Sequence, residues 1–181
     1  MVKDGKDGSK TLTGLNFENK VDFLGFLKGI KGYTVRNSNK RAGSDIYFNE
    51  KLVARAFKKH DFYHFLEENK IEWKLLISKK LLPDDALLVI VRETLFIIEI
   101  KYQQVPGSVD EKLQTCDFKR KQYQKLVLSL GLMVEYVYVL NDWYKKPSYK
   151  DVLDYINSVN CHYKFNELPL AWLGLPEGKL K

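Results

Sequence analysis

The densest apolar stretches of the chain lie between residues 86 and 100. Residues 86–91 (ALLVIV) and 95–100 (LFIIEI) are each about strand length, and a short polar turn, Arg92-Glu93-Thr94, joins them. Near-continuous apolar runs of this length predict strands covered on both faces. Glu99 and Lys101 interrupt the second run two residues apart, which puts them on one side of the sheet, roughly 6.6 Å apart along the strand. Pro83-Asp84-Asp85 opens the first strand. Burying a carboxylate and an ammonium at a strand end is unfavourable unless something compensates, so this hairpin is the first place to look for chemistry.

The remaining pattern predicts the supports of that hairpin. From Asn16 the period turns helical, with Phe17, Val21, Leu24 and either Leu27 or Lys28 on one face and an end near 29–32. Glu18 and Asp22 sit one turn apart beside this stripe, as a solvated acidic edge would. A short strand is expected over 33–36 and a loop over 37–43 (NSNKRAG). Asn49 is placed to cap a helix over 50–59 with Leu52, Val53, Ala56 and Phe57 inward. A further helix over 61–69 carries Phe62, Phe65 and Leu66, and 73–77 reads as a strand. Beyond the hairpin, a polar connection over 102–107 contains Gln103 and Gln104. Ser108-Val109-Asp110-Glu111 has the capping-box spacing that opens a helix. After a break near 115–117, a long helix should run to Leu130 with Phe118, Tyr123, Leu126, Val127 and Leu130 inward and Gly131 as its stop. Lys119, Arg120, Lys121 and Lys125 fall on its outer face. Residues 133–140 (MVEYVYVL) predict a strand, and Ser148-Tyr149-Lys150-Asp151 opens a last helix to about Ser158. An edge strand over 161–165 and an apolar closure over 168–176 (LPLAWLGLP) complete the chain.

No internal repeat, low-complexity tract or linker interrupts this order. It predicts an α/β fold: a mixed β-sheet flanked by helices with an αβββαβ core, a helical insertion over 37–70, and one domain over 1–181 whose first 12 residues are loose. The 181-residue length leaves room for a substantial core, and 45% hydrophobic with 13% aromatic residues argues against disorder. Lys and Arg exceed Asp and Glu by 30 to 23, a formal charge of +7 that suits a polyanionic partner such as nucleic acid without requiring one. Cys116 and Cys161 lack disulfide-framework or metal-site spacing and are expected as reduced thiols. His60 and His64 lie one helical turn apart, but a third ligand is missing, so they are expected as surface or packing residues. No apolar leader or membrane-length run is present, which predicts a soluble, cytoplasmic protein.

Two carboxylates converging in a half-buried pocket create the field that a hard divalent cation satisfies, Mg²⁺ above all, because it takes oxygen ligands and keeps several waters. A lysine two residues away can stabilise charge on a phosphate or orient and deprotonate a water. Metal-assisted phosphodiester hydrolysis uses these parts. Pro83-Asp84, the Glu99-Ile100-Lys101 triplet and the element order around them resemble the PD-(D/E)XK nuclease superfamily. Residues 97–115 (IIEIKYQQVPGSVDEKLQT), with Thr13-Gly14-Leu15-Asn16-Phe17-Glu18, resemble type II restriction endonucleases, and most closely the small cleavage subunit of heterodimeric type IIS enzymes. The resemblance spans about residues 13–140 and implies a restriction-endonuclease-like sheet. It also implies a hydrolase of the type II site-specific deoxyribonuclease class that cuts one strand of duplex DNA, leaving 5′-phosphate and 3′-hydroxyl ends. A separate large subunit would recognise the site and nick the other strand.

Carried over by residue, the resemblance implies metal binding by Asp84 and Glu99, a backbone carbonyl ligand from Ile100, and Lys101 near the attacking water. The cofactor is then Mg²⁺, with Mn²⁺ able to substitute. Asp85 competes with Asp84, because a shift of one residue flips a side chain across the sheet. The proline before Asp84 favours Asp84. Glu18 is similar to a first-helix glutamate that in some relatives reaches the metal's water shell. Gln104 and Gln114 are candidates for holding a phosphate or water, and Lys119, Arg120 and Lys121 for tracking the DNA backbone. Glu111 is accounted for by the capping box. No helix-turn-helix or zinc finger is recognisable, and few residues remain to build one. The alternatives are a self-sufficient homodimeric type II enzyme, a resolvase or transposon end-cutting nuclease of the same core, and a non-catalytic DNA-binding or assembly subunit.

Overall fold

The two apolar runs become the central strands of a sheet. The computed structural model describes residues 11–12, 14–16, 23–37, 41–104 and 109–181. In chain order the first elements are β1 (Thr11–Leu12), β2 (Gly14–Asn16), α1 (Phe23–Lys28), β3 (Tyr33–Asn37), β4 (Ser44–Phe48) and β5 (Lys51–Phe57). Next come α2 (Asp61–Glu68), α3 (Trp73–Leu76), β6 (Asp85–Val89), β7 (Thr94–Lys101), α4 (Val109–Leu113) and α5 (Cys116–Val127). The chain closes with β8 (Met133–Leu140), α6 (Lys150–Ser158), β9 (His162–Phe165), β10 (Glu167–Pro169), α7 (Leu170–Leu173) and β11 (Gly178–Lys179).

Seven strands pair in the order β3-β4-β5-β6-β7-β8-β9. The first five form an antiparallel meander, and β8 and β9 add in parallel. Parallel neighbours need a crossover, which α4 and α5 supply between β7 and β8. Two short pairs, β1 with β11 and β2 with β10, lie outside this sheet.

Each face of the sheet has its own core. On one, Ala86, Leu88, Leu95, Ile97, Tyr136 and Tyr138 meet Phe62, Tyr63, Phe65 and Leu66 of α2, Tyr123, Leu126 and Val127 of α5, and Leu153 and Ile156 of α6. On the other, Leu87, Val89, Phe96, Ile98, Val137 and Val139 meet Phe23 and Leu27 of α1 and Leu170 and Leu173 of α7. The apolar closure at 168–176 is thus the lid of the second face. The six residues Thr94–Glu99 of β7 are all buried, as a central strand covered on both sides requires. The mixed, helix-flanked α/β architecture expected from the element order is the one observed.

Four local expectations are corrected. The helix expected over 50–59 is strand β5, and with β4 it forms a hairpin, so the insertion at 37–70 is only partly helical. Asn49 and Glu50 form its turn, with φ of 47° and 63°. Paired positive φ values belong to the tight turn that matches strand twist. Residues 53–57 of β5 are all buried, so its apolar pattern is continuous, and periodicity cannot separate such a strand from a buried helix. Residues 73–76, expected as a strand, are the one-turn helix α3. The antiparallel strand beside β6 is therefore β5, not 73–77. Phe118, expected inward, is 61% exposed. The buried stripe of α5 runs through Cys116, Tyr123, Leu126 and Val127, and Phe118 lies off it. Lys119, expected on the outer face, turns toward the sheet.

The helix expected from Asn16 begins at Phe23 among described residues; Asn16 itself closes strand β2, paired with Glu167, and 17–22 lie outside the described residues. So do Glu18 and the cap residue Ser108. The α5 stop is as expected: a 3-10 turn over Leu128–Leu130 ends at Gly131 with φ of 70°. Cys116 and Cys161 are both buried and free.

Candidate active site

Strand register decides which aspartate meets Glu99. Asp85 pairs with Ile98 and Ala86 with Ile97, so the next position, Asp84, lies across from Glu99. Ala86 and Leu88 point to the α2–α5 side and Leu87 and Val89 to the other. Alternation along the strand then puts Asp84 on the α5 side with Glu99 and Lys101, and Asp85 on the opposite side with Ile98. Asp84 caps the end of the β6–β7 ladder: its Oδ2 accepts the Ile100 N–H at 3.1 Å.

Glu99 is 3% exposed and carries the densest set of charged contacts in the site. Lys101 Nζ lies 2.9 Å from Glu99 Oε2 and 3.7 Å from Asp84 Oδ2, so it bridges the two carboxylates. Lys119 Nζ, arriving from α5, donates to Glu99 Oε1 at 2.7 Å and Oε2 at 3.0 Å. Two carboxylates face two ammonium groups, a locally neutral cluster on the only terms that burial tolerates. Burial alone pushes the Glu99 carboxyl up. The Lys101 charge, the hydrogen bond and charge of Lys119 and the Tyr136 hydroxyl together outweigh it and hold the group below its ordinary value.

Tyr136 of β8 lies on the same face, and its buried hydroxyl has no hydrogen-bond partner of acceptable geometry among the described residues. Its proximity to Glu99 still favours the carboxylate, and burial first and then that negative charge raise the phenol pKa. Tyr123, one turn beyond Lys119 on α5, is raised likewise by burial and then by Glu99.

The C-terminal end of β7 is fixed by a side-chain clamp. The Gln103 N–H donates to Asn141 Oδ1 at 3.2 Å, and Asn141 Nδ2 donates to the Gln103 carbonyl at 2.8 Å. The buried Gln103 Oε1 accepts from the Tyr144 hydroxyl at 2.9 Å. Lys101 is thus anchored from the residue two places on, so its ammonium starts from a rigid strand end.

Of the residues singled out from sequence, the structure brings Asp84, Glu99, Lys101 and Lys119 together, with Ile100 between. Gln104 is exposed and donates to the Tyr102 hydroxyl at 3.2 Å. Gln114 lines a surface hollow with Asp151, Val152 and Tyr155 of α6. Lys121 pairs with Asp117 at 2.7 Å, and Arg120 lies 3.9 Å from the same carboxylate. Sequence reasoning missed the part played by Lys119 and did not consider Tyr136. The signal for Lys119 was present: with Cys116 and Tyr123 it falls at helical spacing on the apolar stripe, and a lysine there needs a buried acceptor. Tyr136 carried none beyond its place in a buried strand.

Residues 41–128 match the family model for a PD-(D/E)XK nuclease superfamily domain. That stretch runs from the residues before β4 to the end of α5 and contains Asp84, Glu99, Lys101 and Lys119. No curated protein and no solved structure matches the chain. The family match supports the superfamily, whose members are nucleases that generally use divalent metal ions, and the mixed sheet flanked by helices is consistent with its fold.

Whether these residues suit such an ion can be judged from the donors. Among the described residues no three His, Cys, Asp or Glu side chains gather in one place. Asp84 and Glu99 offer hard carboxylate oxygens from adjacent strand ends, and two carboxylates are a usual protein share for Mg²⁺, which retains several waters. The donor set fits a hydrated, oxygen-seeking divalent cation.

Proposed function

We propose that the chain is a Mg²⁺-dependent DNA endonuclease that hydrolyses one strand of duplex DNA, as the cleavage subunit of a type IIS restriction endonuclease with a separate recognition subunit. The observation that carries the catalytic part is the convergence of Asp84 and Glu99 on Lys101 at the end of the β6–β7 hairpin. The subunit assignment rests on the resemblance of residues 97–115 and 13–18 to such subunits.

Bound between the carboxylates, with the Ile100 carbonyl as a further candidate ligand, a divalent cation would supply Lewis acidity and an acidified water. Asp84 and Glu99 hold the negative charge that such an ion needs, at strand ends fixed by the ladder and the Gln103–Asn141 clamp. Lys101, whose ammonium reaches both carboxylates, would stand beside the ion, where it can face a scissile phosphate, donate to the oxygens on which charge develops and orient an attacking water. Burial of Glu99 on the α5 side strengthens each of these interactions, because charges act over a lower dielectric there. Arg120 and Lys121 stay candidates for contacts to the DNA backbone, and among the described residues no helix is long and apolar enough to cross a membrane.

The test is a plasmid assay with Mg²⁺, with the purified chain alone and with a candidate large subunit encoded nearby. Cleavage of one strand that requires the partner and is lost in Glu99→Gln is the expected result. Sequence-specific double-strand cutting by the chain alone would overturn the subunit assignment in favour of a self-sufficient homodimer. No cutting under any condition, with no metal binding, would favour a non-catalytic assembly subunit.

A further inference from the structure

Lys119 and Lys101 both neutralise Glu99, but they are held differently. Lys101 stands on a central strand and is shared by two carboxylates. Lys119 reaches in from α5, and both of its hydrogen bonds go to Glu99. The Lys119 side chain is 26% exposed and the Glu99 side chain 4%, so the lysine reaches solvent while the carboxylate it binds does not. A divalent cation approaching Glu99 meets Oε1 and Oε2 already accepting hydrogen bonds from the Lys119 ammonium, and cation repels cation at this range. A lysine on a flexible stem can leave such a pair by rotation if another acceptor is offered. A duplex offers a row of phosphates, strong acceptors for an ammonium.

We propose that Lys119 is a displaceable internal counter-ion that holds Glu99 until a DNA phosphate takes it, making metal and duplex bind cooperatively. The inference rests on the metal-site reading given under Proposed function and adds to it an order: the carboxylate is released for the ion by the substrate. Without DNA, Lys119 competes with the ion, and the site stays closed to stray metal. With DNA, the same ammonium becomes a phosphate contact. Reciprocity follows, since any factor by which duplex tightens metal binding is the factor by which metal tightens duplex binding.

The experiment is a Mn²⁺ titration followed by the electron paramagnetic resonance of the free ion, without and with a short mixed-sequence duplex. It compares wild type, Lys119→Met, Lys119→Arg, Glu99→Gln and the distant surface control Lys150→Met. Duplex should tighten Mn²⁺ binding to wild type by a factor in the ordinary range of coupled sites, about 5–150-fold. Lys119→Met should bind Mn²⁺ more tightly than wild type without duplex and gain little from adding it. Lys119→Arg and Lys150→Met should behave as wild type. Should the methionine variant not fold by circular dichroism, Lys119→Gln, which keeps a donor for Glu99 without the charge, takes its place. If the Lys119→Met protein binds Mn²⁺ no more tightly than wild type and duplex tightens both equally, the counter-ion proposal is wrong while the site stands. If wild type shows no binding that Glu99→Gln abolishes, the site reading itself fails.

Discussion

Lys101→Met removes the ammonium that joins the two carboxylates while keeping most of the side chain's volume. At an effective dielectric of about 20, charges separated by the 2.9 Å and 3.7 Å seen here attract by roughly 6 and roughly 4 kcal/mol. Most of that is offset by the cost of desolvating a largely buried ammonium and by solvent around the half-exposed Asp84. Lys119 remains on Glu99, so the carboxylate is not left alone. The net loss should be near that of one charge-assisted hydrogen bond, about 2 kcal/mol. In a domain of this size that lowers the melting temperature by roughly 4–8 °C. Cleavage should fall by at least about 100-fold, the lower end of what a positioned proton-transfer or charge-stabilising group contributes. Differential scanning calorimetry and a single-turnover cleavage assay with Mg²⁺ and partner read the two effects separately. Undiminished cleavage by a folded Lys101→Met protein would remove Lys101 from the chemistry. An unchanged melting temperature would refute the bridging geometry.

The β6–β7 register makes Asp84→Asn and Asp85→Asn unequal: the first should abolish metal binding and cutting, and the second should leave metal binding within a few-fold of wild type, as calorimetric titration would show. Equal losses would contradict the facing assigned to the two residues. Acid should destabilise the protein through Glu99. Its carboxyl is held below the ordinary value in the fold, so the stability it contributes is present above that ordinary value and lost as pH falls through the lowered one. The melting-temperature gap between wild type and Glu99→Gln should therefore narrow on acidification, and a gap independent of pH would count against the shift. Gly43→Ala should cost about 1–3 kcal/mol in urea unfolding, because φ of 75° strains any side chain and the added Cβ would collide with the Ala56 carbonyl. A neutral substitution there would show that the turn before β4 can rearrange freely.

What the sequence revealed and what it hid have separate physical causes. Strand β7 and the helix–strand order after it were legible because their apolar runs are long and bounded by clear stops such as Gly131. The β4–β5 hairpin was hidden because Glu50 adopts positive φ without being glycine, and because β5 is buried on both faces and so lacks the alternation that marks a strand. Residues 73–76 form a single helical turn too short for any period to register. In the site, the Glu99–Lys101 pair was visible as charge inside an apolar strand. The resemblance favoured Asp84 over Asp85, but which of the two faces Glu99 is set by the partner strand's register, which one strand's sequence does not supply. Lys119 sits in a basic run with Arg120 and Lys121, which masks its place on the buried stripe of α5.

In the proposed site Asp84 and Glu99 together hold a divalent cation beside Lys101. The most direct measurement is an anomalous-difference map from crystals of the chain with duplex DNA, soaked in Mn²⁺. A peak between the Asp84 and Glu99 carboxylates, absent from crystals of Glu99→Gln, is the expected result. A map with no peak at these carboxylates, or with the ion bound elsewhere, would contradict it.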